Sequence, residues 1–492
     1  MIAVIIITIV QGDLIIPFSD DPYSHTYLSL QPSLEILKLA NKYDLIPIDQ
    51  KVSSLLIIFN LLLFFGTITV LYLLKNKKVL LFILLSIFVI LFRYINIKMG
   101  GGSSQHPPFR LFPMWATGTL GFLTTIGFRL QGIIPLLLIT GTLYNKTQSY
   151  LKTAALVSIP LLLHTSTIVE YSIWYMAGSF LFLNRLDKTQ DKDIIIDMML
   201  VVLFALIRPP SILLLLFVIY KIIFLQQKKL NLRFIALLFV LILPAVLFII
   251  GSIYEGNPAL SHIAQTEINW AERLKTIYYL LFRDFGIIYS SFLLFYFYRN
   301  KHWPFIFIFV FSNILLFSSA HTLGVPRYQI EIFGAGILMG GFFLSRSISH
   351  PFPYIIMLIM NISIFQNKWA TIKVNDYSNP IISERLYPYN EALNHINSLN
   401  GFPELYIAGY NYKGISLILN GSNVEEYIKY LNNFNKIGFN NIKAVNQNPI
   451  IKHLLIEDRL LDSASLIHFW TMKKVFMNPL SNESLYYYDR SG

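Results

Sequence analysis

Long apolar segments alternate with short polar loops from the start of the chain to about residue 366. Each segment has about 15 to 23 residues, close to the length that a helix needs to cross the hydrocarbon core of a bilayer. The pattern predicts a polytopic membrane protein that is all-α in this region, with about thirteen transmembrane helices. The predicted spans are 2–18, 52–74, 79–97, 113–144, 153–168, 172–186, 193–207, 211–225, 232–254, 276–298, 303–320, 329–345 and 351–366.

Two of these spans differ from the others. The first, 2–18, is followed by no small-residue cleavage site, so we expect an uncleaved helix. The fourth, 113–144, is too long for one straight crossing, so we expect a break or an interfacial piece. Two crossings there would invert the orientation of every later helix. The residues that favour a break are Gly118, Gly121, Gly127, Arg129, Gln131 and Gly132.

The loops carry the charge asymmetry that sets membrane orientation. Loops rich in Lys and Arg stay on the cytoplasmic side of the cell membrane. With thirteen crossings, all six basic loops face the cytoplasm, the N-terminus is cytoplasmic, and the first long loop, 19–51, and the C-terminal tail are extracytoplasmic. The six basic loops are 75–78, 145–152, 184–192, 226–233, 299–301 and 346–350.

The tail changes composition near residue 368, where Asn, Tyr, Lys and Glu become frequent. Its residue pattern predicts strands and helices of a small α/β domain. We therefore divide the chain into a transmembrane domain, 1–366, and an extracytoplasmic domain, 367–492, and expect a further short helix on the membrane surface at 32–43. The predicted strands of the tail are 404–408 and 484–488, and its predicted helices are 424–437 and 450–461.

Composition excludes several classes of protein. Hydrophobic residues make up 55% of the chain and charged residues only 13%, about half the fraction of a soluble protein. The net charge of +12 falls largely in the short loops, so it does not indicate a nucleic acid partner. Cysteine is absent, which excludes disulfides and thiolate chemistry. Phosphate-binding loops and His-Glu-x-x-His zinc motifs are also absent. We expect no charge buried in mid-span, as proton- or ion-coupled transport would need.

An acidic run directly follows the first span, at 19–27, with the sequence Ser-Asp-Asp-Pro-Tyr-Ser-His-Thr-Tyr. Pro22 disfavours a helical conformation at Asp21, so Asp20 and Asp21 should face water in an extended or turn segment. In one interpretation the two carboxylates cap the helix that follows. In the other they act at the membrane surface, where an ionised Asp can serve as a base or hold a divalent metal.

Further polar side chains fall on the predicted extracytoplasmic side. Arg327 and Tyr328 lie between two apolar spans, where the planar guanidinium suits a phosphate group. Arg208 precedes two prolines and either binds phosphate as well or extends to lipid head groups from a helix break. The other candidates for substrate binding are His25, Arg110 and His321. In the alternative interpretation, these three are ordinary loop residues without such a role.

These motifs together resemble the GT-C membrane glycosyltransferases. The run from Asp20 to His25 looks like the Asp-Pro-Tyr/Trp sequence after the first helix of the oligosaccharyltransferase catalytic subunit, and 325–328, Val-Pro-Arg-Tyr, is similar to a loop of the protein O-mannosyltransferase and lipid A aminoarabinose transferase group. The Trp-Trp-Asp-Tyr-Gly sequence of the former is absent, and the Asp-Glu pair usual in the latter is Asp-Asp here.

The resemblance implies an inverting glycosyltransferase that moves a sugar from a polyprenyl-phosphate donor to a glycan, lipid or protein acceptor on the extracytoplasmic face. Asp21 would be the base, with Asp20 as its partner, or the two would hold a divalent metal such as Mg²⁺ or Mn²⁺. Arg327, Tyr328 and Arg208 would hold the phosphate. The alternatives are a flippase or transporter of lipid-linked oligosaccharides and a polysaccharide polymerase or ligase.

Overall fold

The computed structural model describes most of the predicted transmembrane domain and the greater part of the C-terminal tail. The first predicted span, 2–18, lies outside the described residues. The described residues are 29–30, 33–34, 36–38, 40, 42, 52–74, 76–98, 112–167, 171–226, 231–254, 271, 274, 278, 286–316, 330–370, 387–397, 404–409, 424–434, 437, 442–461, 469–477 and 483–490.

Helix predominates in the described part of the chain, as the apolar pattern predicts. Five short segments deviate from α geometry: 3₁₀ turns at Leu130–Gly132, Pro209–Leu214 and Asp458–Leu460, and π-helical turns at Lys221–Leu225 and Ile330–Gly334. The α-helices are α1 (Val52–Leu74), α2 (Lys78–Lys98), α3 (Phe112–Leu120), α4 (Thr125–Arg129), α5 (Ile133–Thr147), α6 (Tyr150–Val157), α7 (Pro160–Thr167), α8 (Ser172–Asn184), α9 (Asp191–Ile207), α10 (Leu215–Tyr220), α11 (Leu232–Tyr254), α12 (Gly286–Arg299), α13 (Trp303–Leu316), α14 (Ala335–Ser347), α15 (Phe352–Ala370), α16 (Tyr389–Asn397), α17 (Val424–Phe434) and α18 (Ile442–Gln447).

Three helical stretches among the described residues are long and apolar enough to cross a membrane: Ser54–Leu74, Gly127–Thr147 and Leu232–Ile250. Shorter apolar helices accompany them at Val79–Leu91, Pro209–Leu225, Trp303–Ile314 and Phe352–Asn361. The chain is therefore a candidate membrane protein, while the count of thirteen spans stays a prediction.

The predicted break in 113–144 is confirmed. Helix α3 ends in a Schellman motif, in which the Leu123 N–H donates to the Gly118 carbonyl at 2.7 Å and the Phe122 N–H donates to the Thr119 carbonyl at 3.2 Å. Phe122 occupies the left-handed position, with φ 54°, that glycine usually fills. A Cβ on Gly121 would lie 2.3 Å from the Cα of Gly127, so two helical segments can meet closely at this point.

The C-terminal strands form one sheet of order β1-β2-β4-β3, with β1 (Leu405–Ala408), β2 (His453–Glu457), β3 (Trp470–Met477) and β4 (Ser484–Arg490). β1 and β2 are parallel, and the other two pairings are antiparallel. The predicted strands at 404–408 and 484–488 and the helix at 424–437 are confirmed in outline. The helix predicted at 450–461 is wrong, since the central strand β2 lies there and all five of its residues are buried.

Contacts divide the chain into two compact units, 1–67 with 114–131 and 369–492, and 68–113 with 132–368. The division predicted between 366 and 367 stays a prediction. In the first unit, Asn60 accepts hydrogen bonds from Ser33 and from the indole of Trp115, each at 2.6 Å. The helix predicted at 32–43 is confirmed at its described residues, where Leu34 and Leu37 are buried.

In the second unit, α12 and α14 pack closely because α14 presents glycines at the crossing. A Cβ on Gly340 would lie only 1.8 Å from the carbonyl oxygen of Phe292, and one on Gly341 would lie 2.5 Å from Leu156. Small residues at such crossings let two helix backbones approach each other, which is a common way to hold membrane helices together.

We expect Gly340→Ala to lower the free energy of unfolding by about 1–3 kcal/mol, because the added methyl group forces α12 away from α14. The matched control is Gly141→Ala in α5, where a Cβ would meet nothing within 4 Å. This control should be neutral or gain up to about 1 kcal/mol from helix propensity. Thermal unfolding of both variants in the same detergent makes the comparison, and equal midpoints would contradict the close crossing.

Candidate functional site

The structure describes one of the side chains that the sequence singled out for chemistry, Arg208. The others stay predictions, because they lie outside the described residues. They are Asp20, Asp21, His25, Arg110, His321, Arg327 and Tyr328.

Arg208 stands at the C-terminal end of α9. Its N–H still donates to the Phe204 carbonyl at 2.7 Å, but its backbone is extended, with φ −132° and ψ 102°. The cause is the following residue, Pro209, which disfavours helical geometry before it. The break directs the chain into the 3₁₀ turn Pro209–Leu214, and the Ser211 N–H donates back to the Arg208 carbonyl at 2.8 Å.

The Arg208 side chain forms a buried ion pair with Glu331. Its Nε donates to Glu331 Oε1 at 2.9 Å, and the exposed fractions of the two side chains are 9% and 0%. Glu331 lies in the π-helical turn that precedes α14. A buried carboxylate needs such a partner, because removal of either member of a buried pair costs about 3–5 kcal/mol.

Polar groups of α8 and α13 lie beside this pair. The Tyr175 hydroxyl donates to Asn313 Oδ1, while Asn313 Nδ2 donates to the Phe309 carbonyl at 2.8 Å. The Tyr175 hydroxyl interacts electrostatically with both Arg208 and Glu331. The C-terminal end of α9 thus places the Arg208 cation against the buried Glu331 carboxylate of another segment, with the hydrogen-bonded pair Tyr175 and Asn313 in electrostatic range.

A second charged cluster lies near the other end of α9. Asp197 receives hydrogen bonds from Arg185 Nε and from Lys221 Nζ, each at 2.6 Å, and both Asp197 and Lys221 are fully buried. Lys221 Nζ also donates to the Arg185 carbonyl at 2.5 Å, and Arg185 Nη2 lies 3.4 Å from Asp193. One carboxylate therefore joins the end of α8 to the π-helical turn Lys221–Leu225.

Polar loop residues extend this cluster. Asp187 Oδ1 lies 2.9 Å from Lys301 Nζ and 3.2 Å from His302 Nε2, and His302 Nδ1 lies 3.0 Å from the Tyr220 hydroxyl. The hydrogen bond from Lys301 outweighs partial burial and, together with that from His302, lowers the pKa of Asp187. Gln226 donates to Asp191. Three of the predicted basic loops therefore meet, as one common membrane face requires, although which face they occupy stays a prediction.

The expectation that no charge is buried in mid-span is wrong at Asp197 and Lys221, which are fully buried inside the predicted spans 193–207 and 211–225, each three residues from the centre. Glu331 is also fully buried, as the third residue of the predicted span 329–345. Each of these charges lies in an otherwise largely apolar run, which is a sequence pattern typical of functional sites in membrane proteins. The two described π-helical turns contain Lys221 and Glu331 respectively, and such turns are frequent at functional sites.

Both clusters hold cations against carboxylates in fixed positions. No group of three or more His, Asp or Glu side chains among the described residues could hold a metal ion. At the Arg208 end, the guanidinium is oriented by the carboxylate of Glu331.

We expect Asp197→Leu to destabilise the protein by about 3–5 kcal/mol, because it leaves the buried Lys221 ammonium without its carboxylate. The double variant Asp197→Leu/Lys221→Leu should recover much of this loss, since apolar residues can replace a buried pair. Lys301→Gln, in the exposed pair with Asp187, is the control and should leave the unfolding midpoint unchanged. A double variant as unstable as the single one would contradict a pairwise role.

Comparison with known proteins identifies no relative of this chain. No protein-family model, no curated protein and no solved structure matches the chain.

Proposed function

We propose that this protein is an integral membrane glycosyltransferase of the GT-C type. It transfers a sugar from a polyprenyl-phosphate donor to a glycan, lipid or protein acceptor at the extracytoplasmic face of the cell membrane. The proposal rests first on the Asp20-Asp21 pair that directly follows the first apolar run. The membrane setting is supported by the three helices that are long and apolar enough to span a bilayer.

The structural observation that best supports the proposal is the ion pair between Arg208 and Glu331. Glu331 follows Arg327 by four residues, and covalent geometry limits the separation of their Cα atoms to about 14 Å. The pair therefore links the two stretches of chain that carry the predicted phosphate ligands. Glu331 would orient Arg208, and Arg327 with Tyr328 would make the main contacts with the phosphate.

The reaction requires a base and a cationic environment for the leaving group. The acceptor hydroxyl oxygen attacks the anomeric carbon while the bond from that carbon to the phosphate oxygen breaks, and the electron pair leaves with the lipid phosphate. Asp21 takes the hydroxyl proton, supported by Asp20. The arginines stabilise the charge that grows on the phosphate. His25, Arg110 and His321 would contact the donor or the acceptor.

A second candidate is a flippase or transporter of lipid-linked oligosaccharides. The buried charges at Asp197, Lys221 and Glu331 favour it, since charged groups inside a helical bundle are typical of transport pathways. A polymerase or ligase would use the same bond chemistry with a preassembled glycan chain as the transferred group.

The topology on which the site depends can be tested with single cysteines, because the chain has none of its own. We expect Asn76→Cys to react with a maleimide only from the cytoplasmic side. Asn448→Cys in the tail should react from the outside with a reagent that does not cross membranes. Labelling of both positions from the same side would refute the predicted orientation.

We expect Asp21→Asn to lower the rate of sugar transfer by about 10²–10⁴-fold, because the amide keeps the shape of the side chain but cannot accept the proton. Purified protein in lipid, supplied with polyprenyl-phosphate sugars and membrane acceptors, is the assay. Asp20→Asn should have a smaller effect if Asp20 only supports Asp21. It should be comparably severe, with sensitivity to chelators, if the two hold a metal.

The matched control is Asp191→Asn, an exposed acidic residue at the start of α9, which should keep full activity. Full turnover by the Asp20→Asn/Asp21→Asn double variant would refute the assignment and indicate helix caps. Movement of intact lipid-linked sugar across the bilayer without transfer would favour the transporter.

A further inference from the structure

A groove in the second unit is lined by neither Arg208 nor Glu331, and none of its lining residues takes part in the proposed reaction. It has a volume of about 380 Å³ and lies between α12 and α15, with α14 and Leu156 of α6 as its floor. Its lining is almost wholly apolar, and its volume is in the range of small-ligand sites.

The groove is open along one side. Two of its lining residues, Ile287 on α12 and Ile356 on α15, are 71% and 41% exposed. In a chain that spans a membrane, exposed aliphatic residues of this kind face lipid. The groove is therefore accessible to a hydrocarbon chain from the bilayer.

Hydrogen bonds of two α15 side chains, Asn361 and Tyr354, fix the helix at two levels of the groove. At one level Asn361 accepts from the Tyr289 hydroxyl and donates to the Ala155 carbonyl at 3.2 Å and to Ser158 Oγ at 3.0 Å. At the other, the Tyr354 hydroxyl donates to the Ile348 carbonyl at 3.1 Å. Tyr354 and Asn361 are seven residues apart, about 10 Å along the helix. One of these contacts joins α15 to α12 and the other joins α15 to the end of α14, so hydrogen bonds fix α15 against both neighbouring walls of the groove.

Three basic side chains lie near the C-terminal end of α14, and one of them, Lys152, lies against Tyr354 of the groove. Lys152 Nζ donates to the Ser345 and Ile348 carbonyls at 2.7 and 2.9 Å, and it lies 5.3 Å from the centre of the Tyr354 ring. Arg346 and Lys146 lie 4.7 and 5.1 Å from the ring centre of Phe342, one turn before Arg346 on α14. Asp187 attracts Lys146 electrostatically. Its carboxylate, however, is already bound to Lys301 and His302.

We propose that the groove binds one acyl chain of an anionic phospholipid, whose phosphate lies on Lys152 and Arg346 with Lys146 nearby. An ammonium has three donors, and the two helix-end carbonyls occupy two of those of Lys152, which leaves the third for a phosphate oxygen. Basic pockets between membrane helices bind anionic head groups in this way. The charge at the end of the groove is what selects an anionic lipid over a zwitterionic one.

Native mass spectrometry of the purified full chain tests the proposal, with phosphatidylglycerol and phosphatidylcholine of identical acyl chains as probes. We expect one phosphatidylglycerol to bind more tightly than any phosphatidylcholine. Arg346→Gln should weaken it about fivefold, and so should Lys152→Gln if that variant folds. Lys192→Gln, which removes an exposed positive charge elsewhere, should leave binding unchanged.

Two tryptophan variants test whether the lipid chain occupies the groove. Ile356→Trp should reduce binding of phosphatidylglycerol at least tenfold, whereas Ile359→Trp, on the same helix and 61% exposed but outside the groove, should not. Equal binding of the two lipids, equal losses in Arg346→Gln and Lys192→Gln, or no difference between the two tryptophan variants would overturn the proposal. Displacement of phosphatidylglycerol by undecaprenyl phosphate at equal concentration would also overturn it, because the groove would then hold a polyprenyl chain.

Discussion

The pairing of buried charges along α9, at Asp197 within the helix and at Arg208 directly after it, is the constraint on which the packing of its neighbours depends. A carboxylate or an ammonium removed from water is tolerated only with a partner of opposite charge. Asp197 obtains Lys221 and Arg185, and Glu331 obtains Arg208. These contacts tie α9 to α8 and to both described π-helical turns, so the position of one helix determines the positions of several others. Disruption of either ion pair should therefore change the position of Arg208.

Much of the helical architecture could be predicted from the sequence, because long apolar runs leave few alternatives to helix. The break after α3 was foreseeable from its glycines, although the residue in the left-handed position is Phe122 rather than a glycine. β2 was not foreseeable in the same way. Its short apolar run around Leu454 and Leu455 suits a buried helix as well as a central strand, and only pairing with β1 and β4 decides the matter.

Less of the candidate site could be predicted. Arg208 was identified from its place before two prolines, but its partner Glu331 is 123 residues away in the chain, and no local pattern records such a contact. The lone charges at Asp197 and Lys221 signalled burial inside predicted spans, yet their pairing depends on how α9 packs against the turn after α10. Local spacing predicts elements well, whereas tertiary contacts decide which charges meet.

The two described π-helical turns are the places where this unit can change length. Each such turn contains one residue more than the α-helical turn it replaces. A deletion of a single residue within 221–225 or 330–334 would restore regular helix and leave the flanking residues on nearly the same faces, whereas a deletion in a regular α-helix rotates one side by about 100° relative to the other. Lys221 and Glu331, each held in a buried ion pair, lie within these two turns. In evolutionary terms, a one-residue change in length is least disruptive at the same two turns that carry these charges.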